Sequence, residues 1–230
     1  MSRVQTYIKE HCQKWVKVST LRRWMKKWGY RWKRSRKSLL HKRNQEDFEK
    51  AHQWLNTLKK KEEQGRIDLY FFDEMGVNLI PSVPYAWQLK GKRILLPSVP
   101  SANLTVLGFM SRTQSFKSFL FQGAANSEIV IECFDRFASD IIRPTIVVLD
   151  NAPTHRSHRF KEQIEKWRDK GLILFFIPPY SPELNLIERL WKEIKYTWLP
   201  KYAYTSKQDL EKQIIYILEN IGEKFSISFQ

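Results

Sequence analysis

Two aspartates stand at the ends of apolar runs: Asp73 in IDLYFFDE (67–74) and Asp150 in TIVVLD (145–150). The residues before each read as buried strand. A carboxylate emerging from a buried strand loses solvation, and keeping its charge calls for a cation or several hydrogen-bond donors. A divalent metal would meet that need for both. An aspartate that merely caps the next turn is the competing reading, and before Asn151-Ala152-Pro153 it stands as an equal. A third acid comes from PELNLIERLWKEIKYTW, whose core stripe is Leu184, Ile187, Trp191, Ile194 and Trp198. Glu188 flanks that stripe with Lys192 and Lys195. It either meets a sheet edge or forms an ordinary i, i+4 surface pair with Lys192. Spacing leaves Glu183 and Glu193 open as well.

The elements that must position these acids follow from periodicity and punctuation. IDLYFFDE is short, apolar and aromatic, and Asp73 is expected to end it. NLIP, YAWQLKG, ILLPSV, NLTVLGFMS and FKSFLFQG follow as further strand candidates, separated by Gly, Pro, Asn and Ser. The order then alternates: a helix near 127–138, strand TIVVLD, a helix near 155–170, strand LILFFIP (172–178), and helices near 182–198 and 206–221. Strands followed by alternating β and α describe an α/β domain, a mixed sheet covered by helices. A polar helix over 45–63, with Phe48, Ala51, Leu55 and Leu58 as its apolar edge, joins it to what precedes. The domain boundaries expected are 1–43, 44–65 and 66–230.

Charge separates the first of these parts from the rest. Residues 1–43 hold 15 Lys and Arg against one acid, Glu10, a net of +14 that leaves only +2 of the total +16 for the other residues. Such asymmetry points to a polyanionic partner, nucleic acid before an anionic membrane surface. Ser19 is expected to cap a helix carrying Leu21, Trp24, Met25 and Trp28 at i, i+3, i+4 and i+7, with Gly29 ending it. Arg22, Arg23, Lys26 and Lys27 occupy the opposite face. A weaker helix before it, with Val4, Tyr7 and Ile8 on one side, makes a helix-turn-helix pair, incomplete for want of a third helix. The alternative is a helical hairpin packed on the main domain. The run after Tyr30, with Arg31, Lys33, Arg34, Arg36 and Lys37, reads as a DNA-tracking linker. Cys12 and Cys133 lack partners at zinc-ligand spacing and read as buried or half-buried thiols. With neither a signal peptide nor an 18-residue apolar run, the chain is expected to be soluble and cytoplasmic.

The strings FFDEMG, VVLDNAPTH and PPYSPELNLIERLWKEIK, in this order, resemble the three catalytic blocks of bacterial insertion-sequence transposases of the mariner superfamily. Asp150 and Glu188 lie 38 positions apart (188 − 150), within that family's range. The resemblance covers about residues 66–221 and, more loosely, STLRRWMKKWGYRWKRSRKS. It implies an RNase H-like fold in which Asp73, Asp150 and Glu188 form a DDE triad. It also implies cleavage of DNA at transposon ends and joining of the 3′-OH to target DNA, on a nucleoid-associated homodimer. Three oxygen ligands suit two Mg²⁺ ions, with Mn²⁺ as substitute, about 3.5–4 Å apart across an in-line displacement. Asn151 and His155 would orient water or contact the scissile phosphate, or else only shape the turn and begin a helix. Asn185 would fix the turn that aims Glu188. Members usually carry two helix-turn-helix units, and the absence of the first and part of the second fits a downstream reading frame joined to an upstream one, a decayed copy, or a shortened chain. The competing readings are a catalytically silent DNA-binding derivative, another RNase H-like nuclease, and a basic scaffold whose acids form salt bridges.

Overall fold

A computed structural model describes residues 2–31, 39–83, 95 and 103–228. Lys33, Arg34, Arg36 and Lys37 lie outside the described residues, as do the expected strands YAWQLKG and ILLPSV apart from Leu95. The chain divides into two compact units, Met1–Leu39 and Leu40–Gln230.

The described residues of the first unit form two helices, α1 (Ser2–Cys12) and α2 (Val18–Lys27). Ser19 does not cap α2. The Leu21 amide already bonds the Lys17 carbonyl, so Lys17 is the N-cap and Ser19 falls inside the first turn. The other end is as expected: Gly29 takes φ +83°, and the amides of Gly29 and Tyr30 bond the carbonyls of Lys26 and Met25, a Schellman closure. Of the expected apolar stripe only Leu21 is buried, and Trp28 is 66% exposed. Among its described residues this unit has no further layer to cover the rest. Arg22, Arg23, Lys26, Lys27 and Arg31 are exposed. Cys12 is also exposed, against expectation, because it ends α1 on its solvent side, whereas Cys133 is buried and its thiol is pushed up to about 12 by that burial.

The second unit opens with α3 (Gln45–Glu63), its bounds those expected. The Asn44 side chain accepts from the amides of Glu46 and Asp47, and Lys60 and Lys61 sit at the negative end of the helix dipole. Five strands follow: β1 (Asp68–Val77), β2 (Leu104–Ser111), β3 (Phe116–Gln122), β4 (Thr145–Leu149) and β5 (Leu172–Phe176). The sheet order is β3-β2-β1-β4-β5. β1 and β2, and β2 and β3, pair antiparallel; β1 and β4, and β4 and β5, pair parallel. NLIP forms no strand, because β1 ends at Val77 and a turn follows.

β1 also runs beyond its expected end, so Asp73 lies within it. The residues after Asp73 keep the two-residue period, with Met75 and Val77 buried and Glu74 and Gly76 exposed, and β2 pairs them all.

Helices cover both faces: α4 (Ser127–Ser139), α5 (His158–Asp169), α6 (Ile187–Glu193) and α7 (Lys207–Glu219). Alternation along the strands gives each face its own core. Leu69, Phe71, Met75, Val106 and Val148 pack with α3, α6 and α7, whereas Phe72, Phe109, Val147 and Leu149 pack with Phe134, Phe160 and Trp167 of α4 and α5.

The helix expected over 182–198 is three pieces: a 3₁₀ turn (Pro182–Leu184), α6, and a π-helical turn (Ile194–Trp198) that stops before Pro200. Likewise α5 starts at His158, capped by Ser157, rather than at His155. Among the described residues no helix is long and apolar enough to cross a membrane.

Candidate active site

The sheet topology places the first two acids. β1 stays paired with β2 through Val77, but its last partner on β4 is Phe71, opposite Val148. Asp73 therefore sits two residues past the point where β1 loses a neighbour, and Asp150 directly follows the last residue of β4. Asp73 thus lies just past the parallel-paired part of β1 and Asp150 at the carboxyl end of β4, the side of the sheet where open α/β folds bind ligands. By parity Asp73 shares a face with Phe71 and Met75, the face that α6 covers, and α6 brings Glu188. All three acids line one cleft of about 480 Å³, together with Asn151, Tyr180, Ser181 and Asn185. Arg156 is the one cation among its described lining residues.

Each carboxylate has a distinct setting. Asp150 accepts from the Ala152 amide at 3.0 Å and from His155 Nδ1 at 2.9 Å. His155 Nδ1 also lies 3.2 Å from the Asp150 carbonyl oxygen. Both partners are acceptors, so Nδ1 carries the proton. Burial works to raise the Asp150 pKa, but the bonds from His155 and Ala152 outweigh it and hold the group below its ordinary value. Asp73 moves the other way. Burial, joined by the negative charges of Glu188 and Asp150, raises it from 3.8 to about 7, against the opposing Glu74 amide and His155. Glu188 is half-buried. The i, i+4 pairs Glu46–Lys50, Glu132–Arg136 and His158–Glu162 form, whereas Glu188 and Lys192 make no such pair among the described residues.

The expected secondary residues are also brought to the acids. His155 is buried against Phe72 (ring centroids 5.5 Å apart, edge-on) and Phe160, and it reaches Asp150 from beneath without lining the cleft. Asn151 lines the cleft and donates to the Ile177 carbonyl at 2.6 Å, tying the end of β4 to the end of β5. Asn185 is buried and donates to the Phe72 carbonyl at 2.9 Å, and its own carbonyl oxygen accepts from the Glu188 amide at 3.2 Å. One residue thus fixes the first turn of α6 to the strand segment that bears Asp73. This tether also breaks the expected helix, since Asn185 must take an extended backbone (φ −100°, ψ 101°) to make it.

The other candidate acids are elsewhere. Glu183 is ion-paired with Arg43, and neither it nor Glu193 lines the cleft. Lys192 is exposed, and Lys195 lines a different, 310 Å³ cleft with Asn78, Ser82 and Tyr204. Periodicity marked Trp191 only as core, and it is buried, but its indole N–H also donates to Asp73 Oδ2 at 3.1 Å. The available signal was its i, i+3 spacing from Glu188, which places both on one helix face. Arg156 had no comparable signal.

The donor set is made of oxygens: three carboxylates, and beside them Asn185 Oδ1, a buried atom without a hydrogen-bond partner among the described residues. Such hard ligands suit Mg²⁺ or Mn²⁺. Among the described residues no three acidic, His or Cys side chains surround a single point. A small divalent ion does not require that, since Mg²⁺ is ordinarily held by one or two carboxylates and completes its shell with water and phosphate oxygens. The oxygen lining therefore suits such ions, each held by one or two of the carboxylates with water or phosphate oxygens completing its shell.

Comparison with known proteins gives consistent results. The DDE superfamily endonuclease family matches residues 68–211, and a winged helix-turn-helix family matches residues 1–56. The insertion element IS630 uncharacterized 39 kDa protein of Shigella sonnei is 24% identical over 217 residues, which are 92% of this chain and 60% of that protein. The chain thus spans about three fifths of that relative's length. Among solved structures, a pre-cleavage Mos1 transpososome aligns with TM-score 0.58 at 15% identity, covering 94% of this chain and 66% of that one. The Mos1 mariner paired end complex with Mn aligns with TM-score 0.55 at 15% identity, over 98% and 72% of the two chains. At these identities the structures establish a shared fold, the mixed-sheet architecture expected.

Proposed function

The chain belongs to the DDE superfamily of endonucleases, and we propose that it is the catalytic part of a transposase of the IS630 and mariner kind. It cuts phosphodiester bonds at the ends of a DNA element and joins the freed 3′-OH to target DNA. The observation that carries this reading is the convergence of Asp73, Asp150 and Glu188 on one cleft from three separate elements.

In this reading the three carboxylates hold Mg²⁺, or Mn²⁺ in its place, which when bound supplies Lewis-acid activation of the nucleophile and neutralises charge on the leaving oxygen. The chain's own residues do the rest. His155 and the Ala152 amide fix the rotamer of Asp150 and keep it ionised. Asn185 holds Glu188 in register with β1. Arg156 faces the cleft as a guanidinium suited to a phosphate oxygen flanking the cut. Tyr180 lines the same cleft with φ +60°, a strained conformation of the kind that persists where surrounding structure enforces it at functional sites.

The exposed cations of α2 and Arg31, followed by Lys33, Arg34, Arg36 and Lys37, bind the duplex through its phosphates in this reading, with Lys192 as a further contact from α6. Two copies acting on paired ends belong to the same proposal, supported by relatives solved as paired-end complexes.

The test is nicking of DNA carrying the element's own ends in Mg²⁺ or Mn²⁺, comparing the chain with Asp150→Asn at equal folded concentration. Metal-dependent cleavage lost in Asp150→Asn is expected. Cleavage that persists in the variant would remove the carboxylates from the chemistry.

A further inference from the structure

On β1 and β2, Asp73 is paired directly with Gly108, and parity turns both toward α6. Above them lies Trp191. A Cβ added at Gly108 would stand 2.6 Å from the Trp191 ring and 3.0 Å from Phe116, closer than packed atoms approach. Gly108 has an ordinary strand backbone, so its conformational freedom is not what the site uses. The absent side chain is. It opens a slot in an otherwise fully buried strand, flanked by Val106 and Met110, and the indole fills that slot with Phe116 edge-on at 6.2 Å. Seated there, the ring presents its N–H to Asp73 Oδ2 at 3.1 Å. A buried indole N–H needs an acceptor, and a buried carboxylate needs donors. Each satisfies the other.

We propose that Trp191 is the positioning residue of Asp73, its indole N–H holding one carboxylate oxygen so that the group is aimed into the cleft, and that Gly108 is the glycine that seats it. The inference rests on the reading of Asp73, Asp150 and Glu188 as divalent-metal ligands. Partners that orient metal-binding groups typically contribute 10- to 100-fold in metal affinity. Trp191 touches neither ion nor substrate in this account. It acts through Asp73 alone.

The experiment is a Mn²⁺ titration of the full chain without DNA, read by electron paramagnetic resonance of the free ion. Trp191→Phe removes the donor and keeps most of the ring; Gly108→Ala keeps the donor and pushes the ring aside. Both are expected to weaken Mn²⁺ binding by roughly 10-fold or more. Ile194→Val trims the same buried helix face without touching Asp73 and should leave the affinity unchanged, separating positioning from loss of packing. A second readout is the indole N–H resonance of Trp191, assigned by its absence in Trp191→Phe. It should shift on addition of Mg²⁺ to the wild type and stay fixed in Asp73→Asn. Wild-type affinity in Trp191→Phe would overturn the inference while leaving the metal site standing. Equal Mn²⁺ binding by wild type and Asp150→Asn would instead overturn the reading beneath it. An affinity loss in Ile194→Val as large as in Trp191→Phe would reduce Trp191 to packing.

Discussion

Arg43 is ion-paired with Glu183, 140 residues away in sequence. Its guanidinium also lies over the Phe48 ring at 3.9 Å and bonds Gln45 Oε1 at 3.1 Å. The last cation of the basic N-terminal stretch thus anchors the start of α3 to the turn that carries Ser181 and Pro182 into the cleft. The same pair occupies Glu183, which does not line the cleft.

Glu183→Gln is therefore expected to leave metal-dependent nicking unchanged. Its thermodynamic effect should be small, about 0–1 kcal/mol, because Glu183 is half-exposed and such pairs are screened. Glu188→Gln should abolish nicking with no change in the urea midpoint. The reverse pattern of activities would assign the third acid to Glu183.

What was legible in the sequence divides by range. The bounds of α3 follow from four apolar positions, Phe48, Ala51, Leu55 and Leu58, and the Asn44 cap seen in the structure is equally local. Asp73 and Asp150 stand out as charges beside buried strands, although the sequence leaves turn capping as an equal reading of each. The end of β1 was misplaced because an acid was read as a stop, although Met75 and Val77 continue the alternation past it. The break before α6 and the second role of Trp191 were not legible. They depend on bonds from Asn185 to Phe72 and from Trp191 to Asp73 across 113 and 118 residues. No local pattern encodes such a bond; it exists only once β1 and α6 are packed.

The Asn185 tether yields a stability prediction. Asn185→Ala leaves the Phe72 carbonyl unpaired in a buried place, which should destabilise the chain by about 1–3 kcal/mol. Since the same residue positions Glu188, nicking per folded molecule should fall as well. An unchanged urea midpoint would mean that water replaces the bond at no loss.

Replacing Arg22, Arg23, Lys26 and Lys27 by Ala tests the α2 surface. All four are exposed. If each neutralises one phosphate, the slope of log affinity against log salt should fall in magnitude by roughly 3–4, since each contact contributes about 0.9. Fluorescence anisotropy from low to physiological salt gives the slope. An unchanged slope would place duplex contact elsewhere on the chain.

The raised pKa of Asp73 predicts an unusual pH dependence for the metal-free chain. The folded group titrates near 7 and the unfolded one near 3.8. Between those values the folded state holds a proton that the unfolded state releases, so stability falls as pH rises through this window. The contribution is fully present below 3.8 and is lost by pH 8, with an upper bound of about 4 kcal/mol. Asp150 has the opposite sign: held below its ordinary value, it stabilises above pH 4 and loses that effect only on further acidification. Glu62 and Glu74 are also raised by burial, so the wild type must be compared with Asp73→Asn, which isolates one group. The variant should show a flatter profile from pH 4 to 8 and greater stability than wild type at pH 8. Divalent metal must displace the same proton, so Mn²⁺ should raise the wild-type melting temperature more at pH 8 than at pH 6. Parallel profiles for the two proteins, with equal Mn²⁺ shifts at both pH values, would mean that Asp73 is already ionised at pH 6 and that its negative neighbours are screened by something other than a bound proton.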